Sequence, residues 1–134
     1  MHKGLLRAGA FLAMLAVGLG AFGAHGLKKM VDADAVAVFD TGVRYQVYHS
    51  IALILTGILS GSFNAIRLVW AGRFFIAGII LFAGSLYLLT FFKASGIVGL
   101  SGFGILTPIG GLCFLVGWAM MLLSISYSSD NLKP

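Results

Sequence analysis

The sequence predicts an all-α integral membrane protein, an antiparallel bundle of four transmembrane helices with a short interfacial helix before the second span. The 134 residues are 60% hydrophobic and only 10% charged, and their mean hydropathy is +1.03. Soluble domains carry about a quarter charged residues. Four apolar stretches each approach the roughly 20 residues that a membrane-crossing helix needs. They cover residues 5–25, 42–61, 70–92 and 108–127.

The length fits a single membrane domain over residues 1–134. The net charge of +5 comes from nine Lys/Arg against four acidic residues. These basic residues border the apolar stretches, as in membrane proteins, so we expect lipid and not nucleic acid as the surrounding partner. We predict a multi-pass protein of the bacterial plasma membrane. The distribution of basic residues, with Lys133 included, slightly favours cytoplasmic termini.

The first stretch, residues 5–25, also resembles a signal peptide, because Lys3 and Arg7 precede an apolar run that ends in small residues. We favour a retained helix, since the stretch carries packing signals of its own. In the next segment, apolar residues recur every four positions, and Asp32, Asp34 and Asp40 precede the second span. This pattern predicts an interfacial helix over residues 32–40, with a bend into the second span at 41–42.

The last two spans have recognisable ends. Trp70 stands at the start of the third span, where aromatic side chains anchor helices at the membrane–water interface. The fourth span starts at Thr107 and Pro108, a threonine N-cap followed by proline at the first helical position. Because the connections are short, successive spans are expected to be antiparallel.

Small residues recur within the spans at the spacing that lets helices approach closely. The predicted packing residues are Gly20 in the first span, Gly78 and Ser85 in the third, and Gly110 and Gly117 in the fourth. Seven-residue spacing in the third and fourth spans predicts a seam with a left-handed crossing. We interpret these residues as intramolecular packing; the alternative is an outward stripe that forms a homo-oligomer or binds another membrane protein.

The candidate polar site is a group of side chains expected at one end of the bundle. Its members are His25, Arg44, Tyr45, Gln46 and His49. An ionisable residue inside a span is a functional candidate by default, and His49 falls about two turns inside the second span. The alternative is a neutral imidazole that hydrogen-bonds a neighbouring helix. His25 and His49 alone do not make a haem or zinc site, so no metal is predicted.

No catalytic set is visible. The centres of the predicted spans contain no Asp or Glu, which argues against a proton-coupled exporter, and no nucleotide-binding loop or nucleophile–histidine pattern occurs. Cys113 lies between Leu112 and Phe114 and has the character of a small apolar side chain. We therefore expect no catalytic residues, no cofactor and no enzymatic activity.

Several short motifs resemble a known family in content and order. They are Gly20–Leu27, Arg44–Gln46 with Tyr48–His49, Leu81–Tyr87, Thr107–Gly111 and Gly117–Trp118. Together they resemble the small membrane proteins called domain of unknown function 423, which include transmembrane protein 256. Ala83 departs from the serine that is more frequent in that family. The resemblance implies a four-helix membrane protein and supplies no activity.

Two functional hypotheses remain. The first is a non-enzymatic accessory or interaction component of the membrane, since packing residues are abundant and no catalytic set is present. The second is a binder or transporter of a small molecule, ion or lipid that uses the candidate polar site. Arg44 would attract an anionic group and His49 would respond to pH near neutrality.

Overall fold

The computed structural model describes residues 1–97 and 101–128, and all of its regular elements in these ranges are helical. The α-helices are α1 (Lys3–His25), α2 (Ala33–Leu59), α3 (Ala65–Gly78), α4 (Gly84–Ala94) and α5 (Leu106–Ser128). A π turn, Ile79–Ala83, joins α3 to α4 without a break, and short 3₁₀ helices occupy Leu27–Lys29 and Ser101–Ile105. Lys133 lies outside the described residues.

The helices pack as antiparallel neighbours. The backbone N–H of His2 donates to the carbonyl of Gly57 at 2.8 Å, and Gly23 at the other end of α1 packs against Phe39 near the start of α2. Similarly, the start of α3 meets the end of α5, where the Ser124 hydroxyl donates to the Asn64 carbonyl at 3.1 Å. The N-terminal ends of α1 and α3 therefore lie at the same end of the bundle, which we call the basic end.

Polar side chains fix where three helices begin. The Asp32 carboxylate accepts the Ala35 backbone N–H at 2.9 Å, and the Asn64 side chain accepts that of Arg67 at 3.1 Å. At α1 the imidazole of His2 accepts the N–H of Leu5 at 3.2 Å. Each bond satisfies a backbone donor that has no partner within its helix.

The prediction of four transmembrane helices is wrong. Within the described residues, three helical segments are long and apolar enough to cross a membrane: Lys3–Lys29, Ala65–Ala94 and Gly102–Ser126. The second predicted span falls in α2, which is 27 residues long but is not among them. Its first two thirds hold charged residues and the polar side chains of Gln46 and His49, and only its last turns are continuously apolar.

The predicted interfacial helix is also wrong. Residues 32–40 do not form a separate element, because α2 runs from Ala33 to Leu59 without a break. Asp32 caps this long helix and Asp34 lies in its first turn, so the acidic residues do mark a helix start. The expected bend at residues 41–42 is absent: Thr41 donates its hydroxyl to the Ala37 carbonyl within the helix, at 2.9 Å.

The residues spaced by seven positions in α3–α4, which are Ala71, Gly78 and Ser85, each lie opposite a small residue of α5. The facing pairs are Ala71 with Gly117, Gly78 with Gly110, and Ser85 with Thr107. The hydroxyls of Ser85 and Thr107 are 2.6 Å apart. A Cβ on Gly78 would lie 3.1 Å from the Gly110 carbonyl oxygen, so the helices nearly touch through their backbones. Gly20 instead makes an ordinary contact with Val43.

An ion pair holds the start of α2 to the end of α4 and predicts a response to acid. Lys93 Nζ lies 2.7 Å from Asp32 Oδ2. The hydrogen bond from Lys93, followed by that from the Ala35 N–H, lowers the pKa of the Asp32 carboxyl below its ordinary value. A depressed folded-state pKa stabilises the fold above the unfolded pKa of about 3.9, and this contribution is lost as the pH falls through the folded value.

We expect Asp32→Asn to lower the melting temperature slightly at pH 6 and progressively less as the pH is lowered, because asparagine still caps the helix but cannot pair with Lys93. Thermal unfolding of the detergent-solubilised protein between pH 2 and 6 measures the difference. Lys93→Gln is the matched variant and should give the same pH dependence. A constant difference between Asp32→Asn and the parent at every pH would contradict this assignment.

Candidate functional site

Gln46 lies in the interior and joins three helices. Its side chain is 3% exposed. The amide Nε2 donates to the Leu12 carbonyl of α1 at 2.9 Å, and Oε1 accepts the Tyr87 hydroxyl of α4 at 2.8 Å. Neutral hydrogen bonds of this kind satisfy polar groups that would otherwise be costly to bury. Gln46 therefore links α2 to α1 and α4 simultaneously.

His49 lies one turn further along α2 and is held at both ring nitrogens. Nδ1 is 2.8 Å from the Tyr45 carbonyl, and the indole N–H of Trp118 on α5 donates to Nε2 at 3.2 Å. A carbonyl only accepts and an indole N–H only donates, so these partners assign the neutral imidazole with its proton on Nδ1. The ring stacks on Phe114 with centroids 3.4 Å apart.

Tyr45 forms the wall of an open groove between α2 and α5. Its ring stacks on Phe82 of the π turn with a centroid separation of 4.4 Å and remains 39% exposed. The groove has a volume of about 680 Å³ and is lined mainly by apolar side chains, with His49 and Trp118 at one side. Its size falls within the range of small-molecule sites, about 300–1,000 Å³.

The structure does not bring the other two predicted site residues to this place. Arg44 is exposed and pairs with Asp40 one turn earlier, with 3.4 Å between Nη2 and Oδ2. His25 is exposed at the end of α1, where Nδ1 lies 3.1 Å from the Ala21 carbonyl. Because Gly23 packs at the level of Phe39 and His25 lies two residues further from His49, about twelve residues of helix, or roughly 18 Å, separate the two histidines.

This separation prevents the two histidines from sharing a metal ion or a haem. Among the described residues, no group of three or more His, Cys, Asp or Glu side chains is close enough to hold a metal. Every described buried side-chain nitrogen or oxygen has a hydrogen-bond partner. The polar interior is therefore already satisfied by the protein itself.

Sequence reasoning identified Gln46 and His49 but missed Tyr87 and Trp118 as their partners. Both aromatic residues occur in the motifs that resemble the known family, which was the available signal. Periodicity on one helix cannot show which residue of another helix lies opposite. We call Gln46, His49, Tyr87 and Trp118 the polar core.

Comparison with known proteins assigns the family. A family model described as Protein of unknown function (DUF423) matches residues 19–111. A UPF0382 membrane protein of Staphylococcus aureus (strain bovine RF122 / ET3-1) is 42% identical over 87% of this chain and 89% of its own length. The UPF0382 membrane protein YwdK of Bacillus subtilis (strain 168) is 41% identical over 87% of this chain and 90% of its own length. The chain belongs to the DUF423 family.

This assignment confirms the resemblance drawn from the short motifs. The relatives of this DUF423 chain are bacterial and are named membrane proteins, and its own fold contains three helices suited to crossing a membrane. It is a membrane protein. No solved structure matches the chain. The DUF423 match includes Gln46, His49 and Tyr87, whereas Trp118 lies beyond it.

Proposed function

We propose that this chain is a non-enzymatic, multi-pass component of the bacterial plasma membrane that acts by associating with another membrane protein or with a second copy of itself. The observation that carries the proposal is that Gln46, His49, Tyr87 and Trp118 are all engaged with one another or with backbone carbonyls. Groups engaged in this way hold helices together. Catalysis requires a group that can reach a substrate.

The exposed apolar surface is available for such an association. Large apolar side chains are exposed on α1 and along α5, including Leu112, Leu115 and Leu122 of α5 at 61–66%. Lipid tails are as apolar as leucine, so this surface can lie against lipid or against another helix, and association would depend on close van der Waals packing and not on polar chemistry.

The test is the mass and composition of the particle extracted from native membranes in a mild detergent after brief cross-linking. We expect the particle to contain more than one polypeptide chain in a fixed ratio, either several copies of this chain or this chain together with another protein. A uniform monomer without a partner, obtained both with and without cross-linking, would contradict the proposal. Light scattering coupled to chromatography gives the mass, and peptide sequencing gives the composition.

His49→Phe separates a structural from a chemical role of this imidazole. Phenylalanine keeps the stack on Phe114 but removes both hydrogen bonds, so we expect the free energy of unfolding to fall by about 1–3 kcal/mol. The folded fraction should keep its partner. Loss of the partner from a fully folded His49→Phe protein would instead show that the ring nitrogens act outside the core.

A second candidate function is the binding of a small apolar molecule in the groove beside Tyr45 and Trp118, supported by its volume and lining. Gly111 borders this groove, and a Cβ there would meet only a Phe82 ring atom at 3.9 Å. Gly111→Leu should therefore fill the groove without disturbing the core. Extraction and mass analysis of bound lipids and metabolites from the parent and Gly111→Leu proteins tests it: one class should be lost from the variant.

A further inference from the structure

The basic end of the bundle carries several positively charged side chains. Lys3 and Arg7 lie in α1, and Arg67 and Arg73 lie in α3. The three aspartates within the described residues all lie in residues 32–40, at the opposite end. There, Asp32 pairs with Lys93 and Asp40 pairs with Arg44. Among the described residues, both aspartate ion pairs therefore lie at the end opposite the basic end.

Arg7 and Arg73 lie at nearly the same height in the bundle. The Leu5 side chain occupies the space beside Gly72, where an added Cβ would be 2.7 Å from Leu Cδ2. Arg7 follows Leu5 by two residues and Arg73 follows Gly72 by one. At 1.5 Å of rise per residue, the two positions differ in height by about 2 Å.

This height corresponds to the boundary of the hydrocarbon layer. After Arg73, residues 74–92 contain no charged side chain, and this stretch of helix is about 28 Å long. After Arg7, residues 8–27 are likewise uncharged, over about 30 Å. Both lengths equal the hydrocarbon thickness of a bilayer, about 30 Å. Arg7 and Arg73 therefore stand at the edge of the hydrocarbon layer, from which their long side chains can reach the lipid phosphates.

Arg73 is exposed and its guanidinium lies over the Trp70 ring, with 4.7 Å between Cζ and the ring centroid. Trp70 is 46% exposed. Lys93, at the other boundary of the same long helix, is instead bound to Asp32 at 2.7 Å. Among the described residues, Arg73 has no carboxylate partner, and its cation is oriented only by an aromatic face.

We propose that Arg73 and Trp70 bind the phosphate of an anionic phospholipid in the leaflet at the basic end, with Arg7 adding positive charge at the same height. A guanidinium offers two parallel N–H donors to phosphate, and the stack on Trp70 orients it before the lipid arrives. The acyl chains then run along the outer face of the helix, past Phe74 and the exposed Ile80. The inference rests on the proposed multi-pass placement in the membrane.

The experiment uses fluorescence of Trp70 in bilayers. The chain contains two tryptophans, so Trp118→Phe leaves Trp70 as the single emitter. This protein is reconstituted in two kinds of phosphatidylcholine bilayer. One contains phosphatidylglycerol brominated near the headgroup end of its acyl chains, and the other contains phosphatidylcholine brominated at the same position. At equal mole fraction, the brominated phosphatidylglycerol should quench more strongly. Arg73→Gln should lower this preference about fivefold, the effect of one basic residue near an anionic surface.

Lys93→Gln is the matched control, because it removes a basic residue at the other boundary of the same helix. It should leave the preference at Trp70 unchanged. The proposal is overturned if the parent shows no preference, if Arg73→Gln retains it, or if Lys93→Gln reduces it equally. Displacement of the quenching lipid by millimolar glycerophosphate would identify a site for soluble phosphate and would also overturn it.

If Trp118→Phe impairs folding, native mass spectrometry of the chain without that change provides the same comparison. The number of phosphatidylglycerol molecules retained should be lower for Arg73→Gln than for Lys93→Gln, and equal numbers would overturn the proposal. None of these outcomes changes the mass of the cross-linked particle, so failure of the lipid site and failure of the proposed association are distinguishable.

Discussion

Gly110→Ala is expected to destabilise the fold by about 3 kcal/mol, the upper end of the cost of overpacking an interior. A Cβ at residue 110 would clash with the backbone nitrogen of Phe82 and lie 2.8 Å from its Cα. Backbone atoms cannot rotate away as the end of a flexible side chain can. The helices α5 and α3–α4 would have to separate, and denaturant unfolding in detergent followed by circular dichroism would measure the loss.

The neighbouring glycine provides the control for helix propensity. Gly111→Ala makes the same chemical change one residue later in α5, but its Cβ would meet only a Phe82 ring carbon at 3.9 Å. We expect it to be neutral or slightly stabilising, because alanine favours the helix over glycine by up to about 1 kcal/mol. Equal destabilisation by the two substitutions would contradict the close approach at Gly110.

Gln46→Leu is expected to cost about 1–3 kcal/mol, the penalty for a buried polar group left without its partner. Leucine keeps most of the volume of the side chain but accepts no hydrogen bond. The Tyr87 hydroxyl then has no acceptor, and the link from Leu12 of α1 is lost as well. The midpoint of unfolding in detergent measures the change.

The double substitution isolates the Gln46–Tyr87 bond. In Gln46→Leu/Tyr87→Phe both partners are apolar, so no unsatisfied hydroxyl remains and part of the lost stability should return. Tyr87→Phe alone leaves the Gln46 oxygen unpaired and should also destabilise. Strictly additive effects of the two substitutions would show that they do not share a hydrogen bond.

The helical character and the membrane environment could be predicted because they follow from properties of single segments. Long apolar stretches and boundary charges are local features, and the helices α1, α3–α4 and α5 reflect them. The prediction failed at α2, because the predicted span 42–61 joins the apolar end of this helix to a part that contains Arg44, Gln46 and His49. Neighbouring helices bury Gln46 and His49, and the sequence of α2 alone does not show this burial.

The same limit explains the candidate polar site. Gln46 and His49 were recognisable as polar residues in an apolar setting, but their partners Tyr87 and Trp118 are distant in sequence. His25 was grouped with them because both ends of a short connection were assumed to lie close together. The single α2 helix carries His49 about 24 Å beyond that connection, and this separation is visible only in the fold.

The π turn at Ile79–Ala83 has a consequence for how the long helix is oriented. Its wider ring, in which the Gly84 N–H bonds to the Ile79 carbonyl, accommodates one residue more than an α-helical turn. In a regular α-helix, one residue corresponds to a rotation of about 100°. Without the extra residue, Gly78 would still face Gly110, but Tyr87 would be rotated away from Gln46. The turn therefore lets the section after it reach Gln46 of α2 through Tyr87 while Ser85 still lies beside Thr107 of α5.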